Sequence, residues 1–369
     1  MACGYAVDVL CLRQPGQDAG EVVGGVSTYR VPVRHLQGNK AIPYFSEYLR
    51  FFVLAFWHLT RRALQTRYDL IHVYNPPDIL VFTTLLPRLL TRAKVLFDVR
   101  DIAPELFMAR FRTSEDHLIP RTLRAHERWA CRYADAVTVC TVTQREYQAK
   151  RDVPAEKITI VMNHPDEALY GPPLEPVLRT GPDFSVVFHG AIVKRYGLDS
   201  LIQAASILHG QIPNLKFNIC GAGDHLPAAQ QLAVDLGIGG IVRFHGYIPH
   251  QDMLEIVRSA NVGIVPVPHD QFTDTVYMPT KLMEYAHMGV PAVATRTNTI
   301  SAYFDDDMVS FVESNSPEEL AQQILKLYRD PAAALEQARR ACRFREKYNW
   351  NLDKVVYVRL VDRLLGGPS

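Results

Sequence analysis

The sequence predicts an α/β protein made of two Rossmann-like units, each a parallel sheet with crossover helices. Three observations carry this. Short β-branched runs alternate with longer helical patterns along nearly the whole chain. At 369 residues the chain is too long for one ordinary core. A stretch rich in Pro, Gly and charge, "NHPDEALYGPPLEPVLRTGPD" from Asn163 to Asp183, divides the strands into two sets. The expected organisation is a first unit over 1–165, a linker over 166–183 and a second unit over 184–349. The tail, 350–369, reads as an amphipathic helix that crosses back to complete the first unit.

In chain order, "AVDVLCL" reads as the first strand, "VVGG" as a turn, and "VSTYRVPV" as a strand-like run. The apolar run "FFVLAFWHL", Phe51 to Leu59, reads as a helix too short to span a bilayer, with Arg61 and Arg62 just beyond it. It either faces the core or lies in a membrane interface, aromatics in lipid and arginines at headgroups. "DLIHVY", "KVLFDVR", "AVTVC" and "KITIVM" complete the strands of the first unit. "FSVVFHG", "LKFNICG", "IVRFHGY", "VGIVPV", "PAVAT" and "MVSFV" supply the second.

The 40 Lys and Arg against 39 Asp and Glu leave a formal charge of +1, which gives no reason to expect a nucleic-acid partner. Six scattered cysteines without a C-x-x-C pair argue against a zinc site or a disulfide framework and fit a reducing compartment. The N-terminus lacks a basic leader region and carries Asp8 inside its apolar run, so no signal peptide is read there. The expected location is the cytoplasm, at the inner face of the membrane if the Phe51 helix is interfacial.

Ligands of open α/β sheets bind beyond the carboxyl ends of the strands, so the loops there are the places to look. After "FSVVFHG", Lys194 and Arg195 precede a helix and can reach a phosphate, or are exposed loop charges. Gly221 and Gly223 follow the next strand, where they allow close backbone approach to a ligand or simply make a tight turn. The loop after "RFHG", at Tyr247 and Ile248, offers backbone groups to a flat base edge or is a turn. In "TVYMPTKLMEYAHMGVPAVAT" a Pro opens a helix on which Lys281 and Glu284 share one face at the N-terminal end, a natural anion site; the alternative is a surface salt bridge.

The order of these pieces carries a resemblance. "FHGAIVKRYGLDSLI", "ICGAGD", "RFHGYIPHQDM" and "MPTKLMEYAHMGVPAVAT", with "HVYNPPDIL", "LFDVRDIAPELF" and "ITIVMNHPDE" in the first half, resemble the retaining family 4 glycosyltransferases of GT-B fold, in which two Rossmann-like domains face each other across a cleft. The resemblance spans nearly the whole chain. It implies sugar transfer from a nucleotide-sugar donor to a glycan, lipid-linked or other acceptor, in cell-surface polysaccharide or glycoconjugate synthesis, with retained configuration and no metal or other cofactor. By similarity, Glu284 binds the ribose hydroxyls, the amides around Thr280 with Lys281 hold the diphosphate, Gly190 opens the first donor loop, and the Tyr247–Ile248 loop holds the base. A departing diphosphate gains negative charge, which a helix N-terminus and two cations stabilise where it develops. Arg195 is the second cation, or Lys194 stands in for it.

The sequence departs from the family at three places. The frequent pair of glutamates eight apart survives only as Glu284, because the earlier position is Val276, with Asp270 or Asp274 as substitutes. Ala191 follows Gly190 where many members have arginine. On the acceptor side Arg100-Asp101 replaces the frequent His-Asp; arginine cannot act as a base, which leaves Asp101 or Glu105 to handle the acceptor. The alternatives are a GT-B nucleotide-sugar epimerase and a catalytically impaired sugar-nucleotide-binding protein. Finally, the family's first βα unit has no counterpart here, so "AVDVLCL" is expected to be the first strand of the acceptor-side sheet.

Overall fold

Apolar runs without polar alternation demand sheets covered on both faces, and the second set of strands meets that demand. The computed structural model describes residues 4–33, 41–111 and 113–367. Residues 162–353, with 141–143, form one unit; residues up to 140, 144–161 and those from 354 onward form the other.

In the second unit, β8 (Phe184–His189), β9 (Leu215–Cys220), β10 (Val242–Gly246), β11 (Val262–Val265), β12 (Ala292–Thr295) and β13 (Ser310–Val312) form a parallel sheet in the order β10-β9-β8-β11-β12-β13. This is the doubly wound order whose ligand crevice lies where the strand order reverses, between β8 and β11. Val186, Phe188, Ile202, Phe217, Ile264 and Ile324 belong to its buried core.

In the first unit, β4 (Leu70–Tyr74), β5 (Lys94–Val99), β6 (Ala136–Val139) and β7 (Ile158–Ile160) run parallel in sequence order. Leu96 and Ala136 of this sheet pack against Leu360 of the C-terminal helix Trp350–Leu364, and the Tyr357 hydroxyl lies 3.0 Å from His72 Nδ1. Burial of Leu360 thus ties the chain end to this sheet.

Two expectations need correction. The "AVDVLCL" segment is not the first strand of that sheet. Its strand β1 (Asp8–Leu12) pairs in parallel with β3 (Val26–Val31), which pairs antiparallel with β2 (Gly20–Val23) in a separate three-stranded sheet. No residue of β1 or β2 is fully buried, unlike the inner strands. Gly24 and Gly25, at φ +56° and +84°, close the β2–β3 hairpin in the conformation that a two-residue turn requires. The 166–183 stretch is likewise no free linker. Leu174 N donates to His287 O at 2.9 Å, and the Arg345 guanidinium donates to Glu175 at 2.9 Å, so its backbone and charge needs are met by the second unit.

The helix Ala41–Ala63 buries Ala55 and exposes Trp57. Among the described residues no helix is long and apolar enough to cross a membrane. The described cysteines are free, and Cys3 lies outside the described residues.

Candidate active site

Three loops meet at the switch point of the second sheet, and their glycines explain how. Gly221, at φ +147°, accommodates Gly190 O where a Cβ would stand 1.9 Å away, and a Cβ on Gly223 would stand 2.0 Å from Ile192 O. These two glycines therefore bring the loop after β9 against the loop after β8; the contact they permit is internal to the protein. Gly190 N donates to Cys220 O, and Ile192 N to Ala222 O, each at 2.9 Å. On the other side, a Cβ on Gly197 would collide with Pro266 O, which fixes the start of the helix Leu198–Leu208 beside the loop after β11.

Gly190 itself faces the cation. At φ +113°, its missing Cβ would lie 3.6 Å from Lys281 Cε and 3.8 Å from Nζ. Lys281 sits in the first turn of the helix Thr280–His287, whose N-cap Pro279 supplies no side-chain cap; Leu282 N donates to Pro279 O at 3.0 Å, and no side chain caps the amides before it. The Lys281 ammonium lies 4.2 Å from the centre of the Phe188 ring and 5.2 Å from that of Tyr196. Burial pushes its pKa down to about 8, although Glu284 works in the opposite direction.

Glu284, one turn along on the same face, is 8% exposed, and burial raises its pKa above the usual carboxylate range. The side chains of Tyr170, Lys281 and Thr280 offset part of that rise. Its Oε2 lies 3.3 Å from His189 Nε2, yet neither atom has a hydrogen-bond partner among the described residues. Burial, with Lys281 and His250 nearby, holds the His189 pKa down to about 3, so this imidazole is neutral. A buried, unpartnered carboxylate oxygen is costly unless a ligand completes it.

Arg195 is half-buried and Lys194 exposed. The Arg195 guanidinium lies 5.2 Å from the Tyr196 ring centre and 5.5 Å from that of Phe272, and its buried Nε has no hydrogen-bond partner among the described residues. Of the two, Arg195 is the cation held by the fold. In the loop after β10, Tyr247 is 89% exposed and Ile248 half-buried, and Gly246 O accepts from Gly221 N at 2.8 Å. Val276 is buried in the core. Asp270 caps the helix Gln271–Thr275 by accepting from Thr273 N, and Asp274 accepts from Asn298 N, so both carboxylates serve local structure.

Two side chains at this site escaped the sequence reading. Tyr170, from the stretch read as a linker, faces Glu284 and lies edge-on to His250 with ring centres 4.8 Å apart. His189 ends β8 immediately before Gly190, and a histidine closing an otherwise apolar strand was the available signal. A cavity of about 270 Å³ lies elsewhere, at the opposite sheet edge by Phe184, Asn261 and Pro291, which precede or begin strands. Ligands of such sheets bind at the carboxyl ends, so that cavity is not the candidate.

Comparison with known proteins decides the family. Residues 183–330 match the model described as "Glycosyl transferases group 1" and residues 1–164 the one described as "Glycosyl transferase 4-like domain". The chain belongs to the family 4 glycosyltransferases of GT-B fold. The D-inositol 3-phosphate glycosyltransferases of Streptomyces avermitilis and Corynebacterium aurimucosum are each 25% identical, over 45% and 65% of this chain and 36% and 59% of their own. The chain thus spans less than two thirds of these curated relatives. Among solved structures, the sucrose-phosphate synthase of Thermosynechococcus elongatus superposes with a TM-score of 0.76 at 20% identity, covering 99% of this chain and 90% of that one. Anabaena HepE in complex with UDP gives 0.69 at 13% identity, covering 97% and 100%.

In the first unit, Arg100 and Glu105 both make internal contacts. The Arg100 guanidinium donates to Asp98 through Nε at 2.8 Å and lies 3.4 Å from Val161 O, while its backbone N donates to Asn75 Oδ1 at 2.7 Å. Asp101 is half-buried, and its carbonyl accepts from Asn75 Nδ2 at 2.6 Å. Glu105 is 1% exposed; its Oε1 accepts from Arg151 at 2.7 Å, with Tyr147 also bonded to it, and its buried Oε2 has no hydrogen-bond partner among the described residues. Among the described residues no cluster of three or more His, Cys, Asp or Glu could hold a metal ion.

Proposed function

We propose that this glycosyltransferase moves a sugar from a nucleoside-diphosphate sugar to a glycan or lipid-linked acceptor, with retained configuration, in cell-surface polysaccharide or glycoconjugate synthesis. The observation that carries the donor assignment is the unpartnered Glu284 Oε2 on the same helix face as Lys281. A ribose diol donates to that oxygen, and the diphosphate lies at the uncapped helix start. Anabaena HepE, a neighbour in fold, has been solved with UDP and glucose, which supports a donor of this class. Retention and the acceptor class rest on the family resemblance.

The chemistry follows from charge. As the bond from the anomeric carbon to the diphosphate oxygen breaks, negative charge grows on the leaving group. Lys281, Arg195 and the amides around Thr280 meet that charge, and the burial of Lys281 strengthens its contact. Gly190 takes the φ of +113° that brings the loop after β8 alongside Lys281. Glu284 anchors the ribose and so fixes where the diphosphate falls. Tyr247 and Ile248 present backbone groups to the base. The match to the two glycosyltransferase models favours transfer over epimerisation.

A thermal-shift screen of nucleotide sugars tests the donor class, since a ligand of the folded state raises its melting temperature. Incubation of the stabilising donor with candidate acceptors, followed by assignment of the product anomer by nuclear magnetic resonance, tests transfer and retention. No stabilisation by any nucleoside diphosphate or its sugar would overturn the reading.

A further inference from the structure

We propose that the outer face of the helix Ala41–Ala63 and the adjoining helix Leu85–Thr91 dock this protein onto an anionic lipid surface. The 41–63 helix exposes Leu49, Val53 and Trp57, spaced four residues apart, as one stripe; Leu49 is 62% and Trp57 64% exposed. The 85–91 helix packs beside it and exposes Leu86, Leu89 and Leu90, with Leu89 at 76%. Soluble proteins rarely leave so much apolar side chain from two touching helices in water unless something covers it.

Charge selects the occupant. Arg50 and Arg61 on the first helix and Arg92 at the end of the second are exposed, and among the described residues no carboxylate pairs with them. Glu47 is the only acid within 41–63, and it is 5% exposed, turned away from this face; 85–92 contains no acid. A protein partner would need a matching apolar and acidic surface, whereas an anionic bilayer offers apolar tails beneath negative headgroups as a matter of course. The exposed indole suits the boundary between the two, because its apolar body and N–H sit naturally at headgroup depth. Neither helix is long and apolar enough to cross the membrane, so the arrangement is a peripheral one.

Flotation of the full chain with vesicles of phosphatidylcholine, alone or mixed with phosphatidylglycerol, tests the proposal without any nucleotide. It is therefore independent of the donor assignment. The protein is expected to float with the mixed vesicles and not with the neutral ones, and to be released by high salt. Arg50→Glu, Arg61→Glu and Arg92→Glu are each expected to weaken binding by about fivefold or more, the scale of one basic residue at a charged surface. Trp57→Glu combined with Leu89→Glu is expected to abolish it, while melting temperature and donor binding stay at wild-type levels. Three results would overturn the proposal: wild-type protein left at the bottom of both gradients, flotation unchanged in these variants, or a wild-type dimer in light scattering that the Trp57→Glu, Leu89→Glu variant converts to monomer, which would assign the face to a second copy of this chain.

Discussion

His189 Nε2 stands 3.3 Å from Glu284 Oε2, and the two are buried side by side, neither with a hydrogen-bond partner among the described residues. Because burial keeps the imidazole neutral, this is no ion pair, and the carboxylate keeps its capacity to accept from a ligand. Glu284→Ala is expected to weaken binding of a nucleoside diphosphate by about 1–3 kcal/mol, the scale for losing a charged hydrogen bond. Tyr170→Phe, which removes only the hydroxyl facing Glu284, is expected to cost less, about 1 kcal/mol. Calorimetry measures both, and an unchanged affinity in Glu284→Ala removes the carboxylate from the donor site.

Lys281 predicts a proton exchange. Its pKa of about 8 in the free protein rises when a diphosphate arrives beside it, because an opposite charge favours the ammonium. Donor binding above pH 8 is therefore expected to take up a proton, and binding at pH 6, where the ammonium is already formed, is expected not to. Calorimetry in two buffers of different ionisation enthalpy reads this directly. The same depression has a stability consequence. Between the folded value of about 8 and the ordinary 10.5 the unfolded chain binds the proton more tightly, so the Lys281 contribution to stability rises with pH through that window. Lys281→Met is expected to lose both the proton uptake and this pH dependence.

The alternation of strand and helix makes the two parallel sheets legible, and the Pro-opened helix places Lys281 and Glu284 on one face from the sequence alone. What stayed hidden depended on contacts distant in sequence. Tyr170 looked like part of a spacer because Pro and Gly mark breaks in regular structure without revealing what the segment packs on. Glu105 looked available because its partner Arg151 lies 46 residues away. Gly221 and Gly223 read equally well as ligand contacts or turns, and only the approach of Gly190 O and Ile192 O gives them an internal role. The "AVDVLCL" strand had a pattern but no visible partner, and pairing is a property of two segments.

The glycine contacts yield a stability test. Gly223→Ala places a methyl about 2 Å from a backbone carbonyl that cannot swing aside, so one of the two loops must shift. The expected loss is about 1–3 kcal/mol by urea unfolding, with weaker nucleotide binding because the loop after β8 moves with it. Gly239→Ala, where the added methyl meets nothing within 4 Å, is expected to stay within about 0.5 kcal/mol of wild type. Equal stability of the two variants would contradict the close approach.

The last prediction separates structure from chemistry at Glu105. Arg151 bridges two buried carboxylates, donating to Glu105 at 2.7 Å and to Glu127 at 2.9 Å, and both acids are at most 2% exposed. Arg151→Met leaves the buried Glu105 carboxylate with only the more distant Arg124, 3.8 Å away, and pushes Glu127, whose pKa burial already raises to about 8, further towards its neutral form. The expected loss is about 3–5 kcal/mol, the scale for breaking a buried pair by removing one partner. Replacing both acids by glutamine in the same protein removes the orphaned charge and is expected to recover most of that loss. If Glu105 instead handled the acceptor, Glu105→Gln alone would keep stability and abolish transfer. The structure predicts the reverse order, in which stability falls and the turnover of the remaining folded protein is retained, measured as specific activity corrected for the folded fraction.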